Sequence, residues 1–327
     1  MSLAERTGRR PFISIVVPVY NEQPNIEKFY EEATKALQTL EADYEIIFVD
    51  DGSKDATPLI LSRLTQDDTH VRAFILARNF GHQLALTCGM DHALGDAVIT
   101  MDGDLQHPPA MIPELVQKWQ EGSDVVQTIR EATDDAGFFK RMTSKWYYKL
   151  LNTVSPVHIV PGGSDFRLLD RRALETFKQF REHDRFIRGI IGDIGYNQSF
   201  IHFVAPKRFA GKSKFSMRKM LHFALDGIMA YSKIPLRFSF YLGMISGILS
   251  ILLIIHALYC SIVDEAVPGW TTMMIVACFF GGLQLIFIGV IGEYIGRIFE
   301  EVKHRPLYWV RAELGHHKDT PDSQKSL

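Results

Sequence analysis

The sequence predicts an α/β fold, a parallel sheet covered on both faces by helices, that continues into a pair of helices apolar enough for lipid. Three observations carry that expectation. Strand-like and helix-like segments alternate from Ile13 to Ile129. Polar clusters fall just past the apolar strand runs, where open α/β sheets take their ligands. Two long apolar stretches, Leu236 to Val263 and Trp270 to Phe299, stand near the end of the chain.

The elements follow in order. Ile13 to Val19 is a β-branched run and reads as a buried strand. Pro24 then opens a helix as its first-turn proline. Ile26, Phe29, Tyr30, Ala33, Leu37 and Leu40 share one face of that helix. Glu45 to Val49 is a second strand, followed by a helix from about Asp55. Val71 to Ala77 is a third strand and Gln83 to Ala93 a helix. Ala97 to Met101 is a fourth strand, Pro108-Pro109 begins the next helix, and Asp124 to Ile129 is a fifth strand. Repeated units of this length imply a parallel sheet with both faces covered.

After Gly137 the pattern changes. Phe139, Met142, Trp146 and Leu150 lie on one helical face, with Lys140, Arg141, Lys145 and Lys149 nearby. Ser216 to Tyr231 repeats Met217, Met220, Leu221, Ala224, Leu225, Ile228 and Met229 at helical spacing. Both segments suit helices at a membrane surface, and both also suit core-facing amphipathic helices. The two apolar stretches that follow can each cross a hydrocarbon layer about 30 Å thick. Arg218, Lys219, Lys233 and Arg237 precede the first, and Arg297, Lys303 and Arg305 follow the second. The turn from Ile262 to Gly269 holds Asp264 and Glu265 and no Lys or Arg. The positive-inside rule therefore puts both ends of the chain in the cytoplasm and the turn outside.

This division gives a polar arm over 1–11, a catalytic unit over 12–215, an amphipathic juxtamembrane helix over 216–235, a hairpin over 236–299 and a cytoplasmic tail over 300–327, polar from Gly315 onward. The chain has 327 residues and a net charge of −2, so no general basic field exists for nucleic acid. Met1 to Arg10 is basic without an apolar core, unlike a signal peptide. Cys88, Cys260 and Cys278 are too few for a disulfide framework and read as small hydrophobes.

Candidate chemistry centres on Asp102-Gly103-Asp104. Two carboxylates one residue apart, past a buried strand, can aim at one hard cation, and Gly103 allows a sharp turn between them. Gln106 adds a neutral oxygen. An all-oxygen set favours Mg²⁺ or Mn²⁺ over Zn²⁺, and such an ion would bridge diphosphate oxygens. Asp50-Asp51-Gly52-Ser53 either receives ribose or base hydrogen bonds or is a turn with an aspartate cap. Arg208-Phe209-Ala210-Gly211-Lys212-Ser213-Lys214 suits phosphate binding or a solvated basic loop. Glu293 can pair with Arg297 four residues on, or meet a lipid headgroup. No G-x-G-x-x-G follows the first strand and no P-loop motif occurs, which argues against a nicotinamide or flavin cofactor and against a P-loop NTPase.

Together these residues resemble glycosyltransferase family 2 with the GT-A (Rossmann-like) fold. The resemblance rests on PVYNE (Pro18 to Glu22), VDDGS (Val49 to Ser53), RNFG (Arg78 to Gly81) and DGDLQHPP (Asp102 to Pro109). DFRLLDR (Asp165 to Arg171), RFAGKSK (Arg208 to Lys214) and GEYIGR (Gly292 to Arg297) extend it across about residues 12–310. It is similar above all to the polyprenyl-phosphate members, including the bactoprenol glucosyltransferases of O-antigen modification. The resemblance implies inverting transfer of a sugar, glucose first, from a UDP-sugar donor to undecaprenyl phosphate at the cytoplasmic membrane face. Another sugar, such as mannose or an aminoarabinose derivative, and a non-catalytic membrane scaffold are the alternatives.

By the same resemblance Asp50 and Asp51 contact the nucleotide, and Pro18, Tyr20 and Glu22 wall the base. Asp102, Asp104 and Gln106 hold the metal and diphosphate, with Asp102 and Gln106 also on the nucleotide-sugar and Asp104 counted as catalytic. Asp165 matches the proposed catalytic base. Arg208, Lys212, Ser213 and Lys214 match a phosphate-holding loop. The acceptor is already ionised near neutrality, so Asp165 is expected instead to orient Arg167 or a sugar hydroxyl. A homo-oligomer is expected, since two spans give little lateral shelter.

Overall fold

The computed structural model describes residues 10–130, 163–183, 185–204, 234–262 and 269–315. These fall into two compact units. One comprises the described residues up to Val204 together with Pro306 to Gly315, and the other those from Ile234 to Arg305.

The first unit is built on one sheet, eight-stranded among the described residues. In chain order its elements are β1 (Phe12–Val19), α1 (Ile26–Leu37), β2 (Asp43–Asp50), α2 (Thr57–Asp67), β3 (Val71–Leu76), α3 (His82–His92) and β4 (Ala97–Thr100). A 3₁₀ turn (Pro109–Met111), α4 (Ile112–Gln120), β5 (Val125–Arg130), β6 (Gly163–Asp170), α5 (Arg171–Phe177), α6 (Ile187–Asp193), β7 (Gln198–Phe203) and β8 (Val310–Leu314) complete it. The strands lie in the order β7-β5-β6-β4-β1-β2-β3-β8.

Side-chain alternation along the strands divides the core into two layers. Ile13, Ile15, Val17 and Val19 of β1 join Ile46 and Phe48 of β2 against Ile26, Phe29, Ala33 and Leu37 of α1 and Leu115 and Trp119 of α4. Val16, Ile47, Val49 and Phe74 point the other way, onto Ala85, Leu86 and Cys88 of α3 and Leu174 and Phe177 of α5. With both faces buried, the strands need no polar alternation, which is why β1 reads as a continuous apolar run. Cys88 is a buried free thiol, pushed up to about 12 by burial, as suits a packing residue.

Four features correct the sequence expectation. The sheet is mixed rather than parallel: β6 runs antiparallel between β4 and β5, and β8 antiparallel to β3. Pro24 lies in a turn, and α1 starts two residues later at Ile26, after Asn25. Pro108-Pro109 leads into a 3₁₀ turn before α4 begins. Residues 306–315 are not a tail, because they return to the sheet and supply its β8 edge. The two proposed interfacial segments around 139–151 and 216–231, and the chain beyond Gly315, lie outside the described residues.

The second unit contains α7 (Ile234–Ile262) and α8 (Trp270–Val302), of 29 and 33 residues. At 1.5 Å per residue these measure roughly 44 and 50 Å. Phe238, Phe240 and Ile245 of α7 and Leu285, Ile286 and Ile298 of α8 are exposed. Gly243 faces Phe287 across the pair, close enough that a β-carbon there would touch its ring at 3.9 Å. Among the described residues, Phe279–Val302 is long and apolar enough to cross a membrane. Arg297 Nε donates to Glu293 Oε1 at 3.2 Å, and Nη2 lies 3.1 Å from the same oxygen, the i,i+4 pair expected from their spacing.

Candidate active site

The strands β1, β2 and β4 are parallel, so their carboxyl ends open on one rim of the sheet. Each ends in a polar cluster, and the clusters are fastened to one another. After β1 the chain turns through Asn21 at φ +53°, a left-handed conformation that Asn tolerates better than most residues. The Asn21 amide donates to Ser53 Oγ at 2.8 Å, and Asn21 Oδ1 accepts from the Lys54 amide at 2.8 Å. The Glu22 amide donates to Thr57 Oγ1, and its carboxylate accepts from Asn25 Nδ2 at 2.6 Å. Gly52 sits at φ +73°, where a β-carbon would lie 2.7 Å from the Arg78 carbonyl carbon and 2.8 Å from the Asn79 nitrogen. Only glycine lets these two loops approach so closely.

Asp50 and Asp51 are both buried at the end of β2. Asp50 accepts from the Ser53 amide at 3.2 and 3.3 Å. Asp51 accepts from the amides of Phe80 and Gly81 at 2.7 and 2.9 Å, so it pins the loop after β3. Burial raises both carboxyls above their ordinary values and outweighs these hydrogen bonds. A cleft of 660 Å³ lies above them, lined by Tyr20, Asp50, Ser53, Lys54, Arg78 and Arg311 among others. Pro18 is buried in β1 and, like Glu22 and Asp51, does not line the cleft.

The loop after β4 forms the second half of the site. Its conformation is costly: Leu105 stands at φ +62°, which costs about 1–2 kcal/mol for a side chain of this kind. Packing of Leu105 into the α1-side core and a bond from the Gln106 amide to Asp104 Oδ1 at 3.1 Å hold it there. Gly103 is not at positive φ. It serves by its size, since a β-carbon would lie 3.1 Å from Val19 Cγ1, which corrects the expectation of a glycine-specific turn. His107 locks the loop from below. Its Nδ1 accepts from the Asp102 amide at 2.9 Å, which leaves Nε2–H to donate to Ser164 Oγ at 2.7 Å. Its ring stacks on Phe166 at 5.3 Å. Burial lowers its pKa, against the pull of Asp102, so the imidazole is neutral at neutral pH.

β6 brings Asp165 to this loop by lying beside β4, with Thr100 Oγ1 donating to the Asp165 carbonyl at 2.6 Å. The Asp165 carboxylate accepts from Arg167 Nη2 at 2.7 Å and from Arg188 Nε and Nη2 at 3.1 and 3.2 Å. Burial alone would raise its pKa, but Arg188, His82 and Arg167 hold it well below the usual carboxylate range. Arg167 is itself buried and is pushed down to about 10 by that burial, which leaves it charged at neutral pH. Its Nε and Nη1 have no hydrogen-bond partner among the described residues.

His82 Nε2 lies 3.5 Å from Asp102 Oδ1 and 3.7 Å from Asp165 Oδ2, bridging the two acidic motifs. Burial pulls this imidazole down, yet contact with Asp165 and the charges of Asp102 and Asp165 outweigh it and raise its pKa.

The structure thus sets Asp102 and Asp165 on either side of His82, keeps Asp104 and Gln106 on the Asp102 loop, and places Tyr20 and Asp50 in the cleft. Arg208, Lys212, Ser213 and Lys214 lie outside the described residues. His82 and Arg188 were not singled out from sequence. His82 directly follows RNFG and was open to notice, whereas Arg188 has no local signal.

Among the described residues no group of three or more His, Cys, Asp or Glu side chains is arranged to hold a metal ion. One atom is nevertheless suited to a cation: Asp102 Oδ1 is buried and makes no hydrogen bond, with His82 Nε2 standing 3.5 Å from it. An ion placed there would draw on a few carboxylate and amide oxygens and complete its shell with substrate phosphates and water, as Mg²⁺ usually does.

The family model described as Glycosyl transferase family 2 matches residues 14–177. An uncharacterised glycosyltransferase of Synechocystis is 42% identical over 299 residues, covering 91% of this chain and 94% of its own. The bactoprenol glucosyl transferase of Shigella phage SfV is 41% identical over 305 residues, covering 92% and 98%. A prophage bactoprenol glucosyl transferase homolog of Escherichia coli K12 is 40% identical over 302 residues, covering 91% and 98%.

Proposed function

This chain belongs to glycosyl transferase family 2, and on that premise we propose that it transfers a sugar, glucose first, from a UDP-sugar to a polyprenyl phosphate at the membrane. The observation that carries this reading is the adjacency of two acidic loops and a cleft on the carboxyl rim of one sheet, in a chain with a long apolar helix. The likeness to two proteins named bactoprenol glucosyl transferase over nearly their whole lengths supports the acceptor and the sugar. The chain would cross the inner membrane as an α7–α8 hairpin with its catalytic unit and both termini in the cytoplasm, as the charge of the flanks suggests. Self-association through that hairpin belongs to the same proposal.

In this reading the nucleotide lies over Asp50 with its base against Tyr20, and the diphosphate reaches the Asp102 loop. Asp102 and Asp104, with Gln106, would hold Mg²⁺ or Mn²⁺, which when bound supplies positive charge to the departing nucleoside diphosphate. The acceptor phosphate attacks the anomeric carbon from the face opposite that leaving group and inverts the centre. Its second pKa is about 6, so it arrives mostly ionised. Asp165, held far below neutrality by two arginines, has little capacity to take a proton. It acts by fixing Arg167 and Arg188 and by holding the His82 ring in place, so catalysis rests on orientation and preset charge. Arg208, Lys212, Ser213 and Lys214 are proposed to grip the acceptor phosphate.

The test uses purified protein in detergent with divalent ion, a panel of UDP-sugars and undecaprenyl phosphate. UDP release that needs both acceptor and metal is expected, fastest with UDP-glucose. No release from any donor in the panel would refute the reading, and a preference for another sugar would refute the glucose assignment alone.

A further inference from the structure

We propose that the strand following the last apolar helix is part of the donor site, and that Arg311 on β8 recognises the nucleobase of the donor. The inference rests on the donor reading above but adds a residue and a ligand edge to it.

β8 is firmly attached to the β3 edge. Ala312, Glu313 and Leu314 pair with Ile75, Phe74 and Ala73, and the Ala77 amide donates to the Trp309 carbonyl at 2.9 Å. Tyr308 donates to Asp91 at 2.8 Å, and Arg72, buried against Glu45, donates to Glu313 at 3.0 Å. Trp309 meets the edge of the Phe80 ring. Gly315 closes the strand at φ +81°, where a β-carbon would strike the Val71 carbonyl at 2.5 Å.

Within this pairing the register slips. Ile75 faces Ala312 but Leu76 faces Val310, so Arg311 is the extra residue of a β-bulge. Successive residues of a regular strand point to opposite faces. Here Arg311 and Ala312 both line the 660 Å³ cleft, as a bulge that re-aims a side chain allows. The Arg311 guanidinium is exposed and has no hydrogen-bond or ion-pair partner among the described residues. Arg78, across the same cleft, has its guanidinium over the Phe80 ring at 4.3 Å.

Position decides which part of the donor Arg311 meets. The Asp102 loop follows β4, and β8 lies four strands away across β1, β2 and β3. At about 4.8 Å per strand this is roughly 19 Å. A donor whose diphosphate is at the Asp102 loop therefore reaches β8 with its opposite end, the base. The cleft offers an acceptor-only carboxylate at Asp50 and donor-only guanidinia at Arg78 and Arg311. An N–H flanked by two carbonyl oxygens, the edge of uracil, complements that set.

The experiment measures binding of UMP, UDP and CMP to the full-length protein in detergent by calorimetry. Arg311→Ala is expected to weaken UMP and UDP equally, by about ten- to a hundredfold for loss of a charged hydrogen bond, and to narrow the preference for UMP over CMP. Arg311→Lys should recover part of the loss, and Glu313→Gln, on the same strand outside the cleft, should match wild type. In turnover, KM for the UDP-sugar rises while kcat and KM for the acceptor hold, at an unchanged melting temperature. Unchanged UMP affinity in Arg311→Ala, or a loss confined to UDP, would overturn the proposal and leave the donor reading intact. Wild-type protein that binds neither UMP nor UDP would overturn both.

Discussion

Replacing Asp165 with Asn separates a base from a positioning group. The carboxylate receives three hydrogen bonds from two guanidinium groups, at 2.7, 3.1 and 3.2 Å. Removing one partner of a buried ion pair costs about 3–5 kcal/mol. Asn keeps one acceptor oxygen and Arg188 can turn toward water, so the lower end applies, about 3 kcal/mol. For a unit of this size that lowers the melting temperature by roughly 6–12 °C. The pH dependence has a definite sign. Because the folded pKa is depressed, the Asp165 contribution is present above the unfolded value of about 3.9 and is lost as pH falls through the lower folded value. The gap between wild type and variant should be full from about pH 5 to 6, narrow as pH rises through the raised His82 value because that imidazole gains its proton affinity first from Asp165, and close in stronger acid.

Activity follows a different course. An acceptor with a pKa of about 6 is roughly nine-tenths ionised at pH 7, which leaves little for a base to do. Asp165→Asn should therefore lose about ten- to a hundredfold in kcat through misplacement of Arg167 and Arg188 and keep the wild-type shape of the pH–rate profile. The assay is UDP release across pH, paired with thermal unfolding. A folded variant that binds both substrates normally and is wholly inactive, or one that loses the acidic limb of the profile, would refute the argument.

Three further outcomes follow from the same geometry. Gly52→Ala must place a β-carbon 2.7 Å from backbone at φ +73°; the left-handed cost of about 1–2 kcal/mol is a floor, and both the urea midpoint and UDP affinity should fall. Asp50→Asn removes a charge whose pKa burial raises, so folding opposes its ionisation and the penalty grows as pH rises through the folded value. The variant should match or exceed wild-type thermal stability at pH 8, lose that advantage in acid, and bind UDP more weakly. Asp102→Ala and Asp104→Ala should abolish transfer while the protein stays folded, and EDTA should silence wild type until Mg²⁺ or Mn²⁺ is returned, as read by UDP release.

What the sequence disclosed was local. The apolar runs of β1 and β2, the α1 face through Ile26, Phe29 and Ala33, and the polar clusters after three strands were all visible as pattern. What it hid depends on distant partners. Gly163–Asp170 carries Asp165 and Arg167 among its apolar residues, and only its place between β4 and β5 makes it an antiparallel strand. Val310–Leu314 is short, with charges at Arg311 and Glu313, and becomes β8 by pairing with β3, far away in the chain. For the same reason Arg311 looked like part of a tail. Gly103 was misread because its motive is contact with Val19, which no local rule reveals. Arg188 became a candidate only when β6 and α6 set it beside Asp165.

The most direct measurement is the mass of the lipid recovered after purified protein, UDP-glucose, undecaprenyl phosphate and divalent ion are incubated together. The account predicts a new species equal to the acceptor plus one hexosyl residue on a single phosphate, absent with the Asp102→Ala variant. A lipid bearing a diphosphate bridge, or an unaltered lipid while UDP still accumulates, would contradict it.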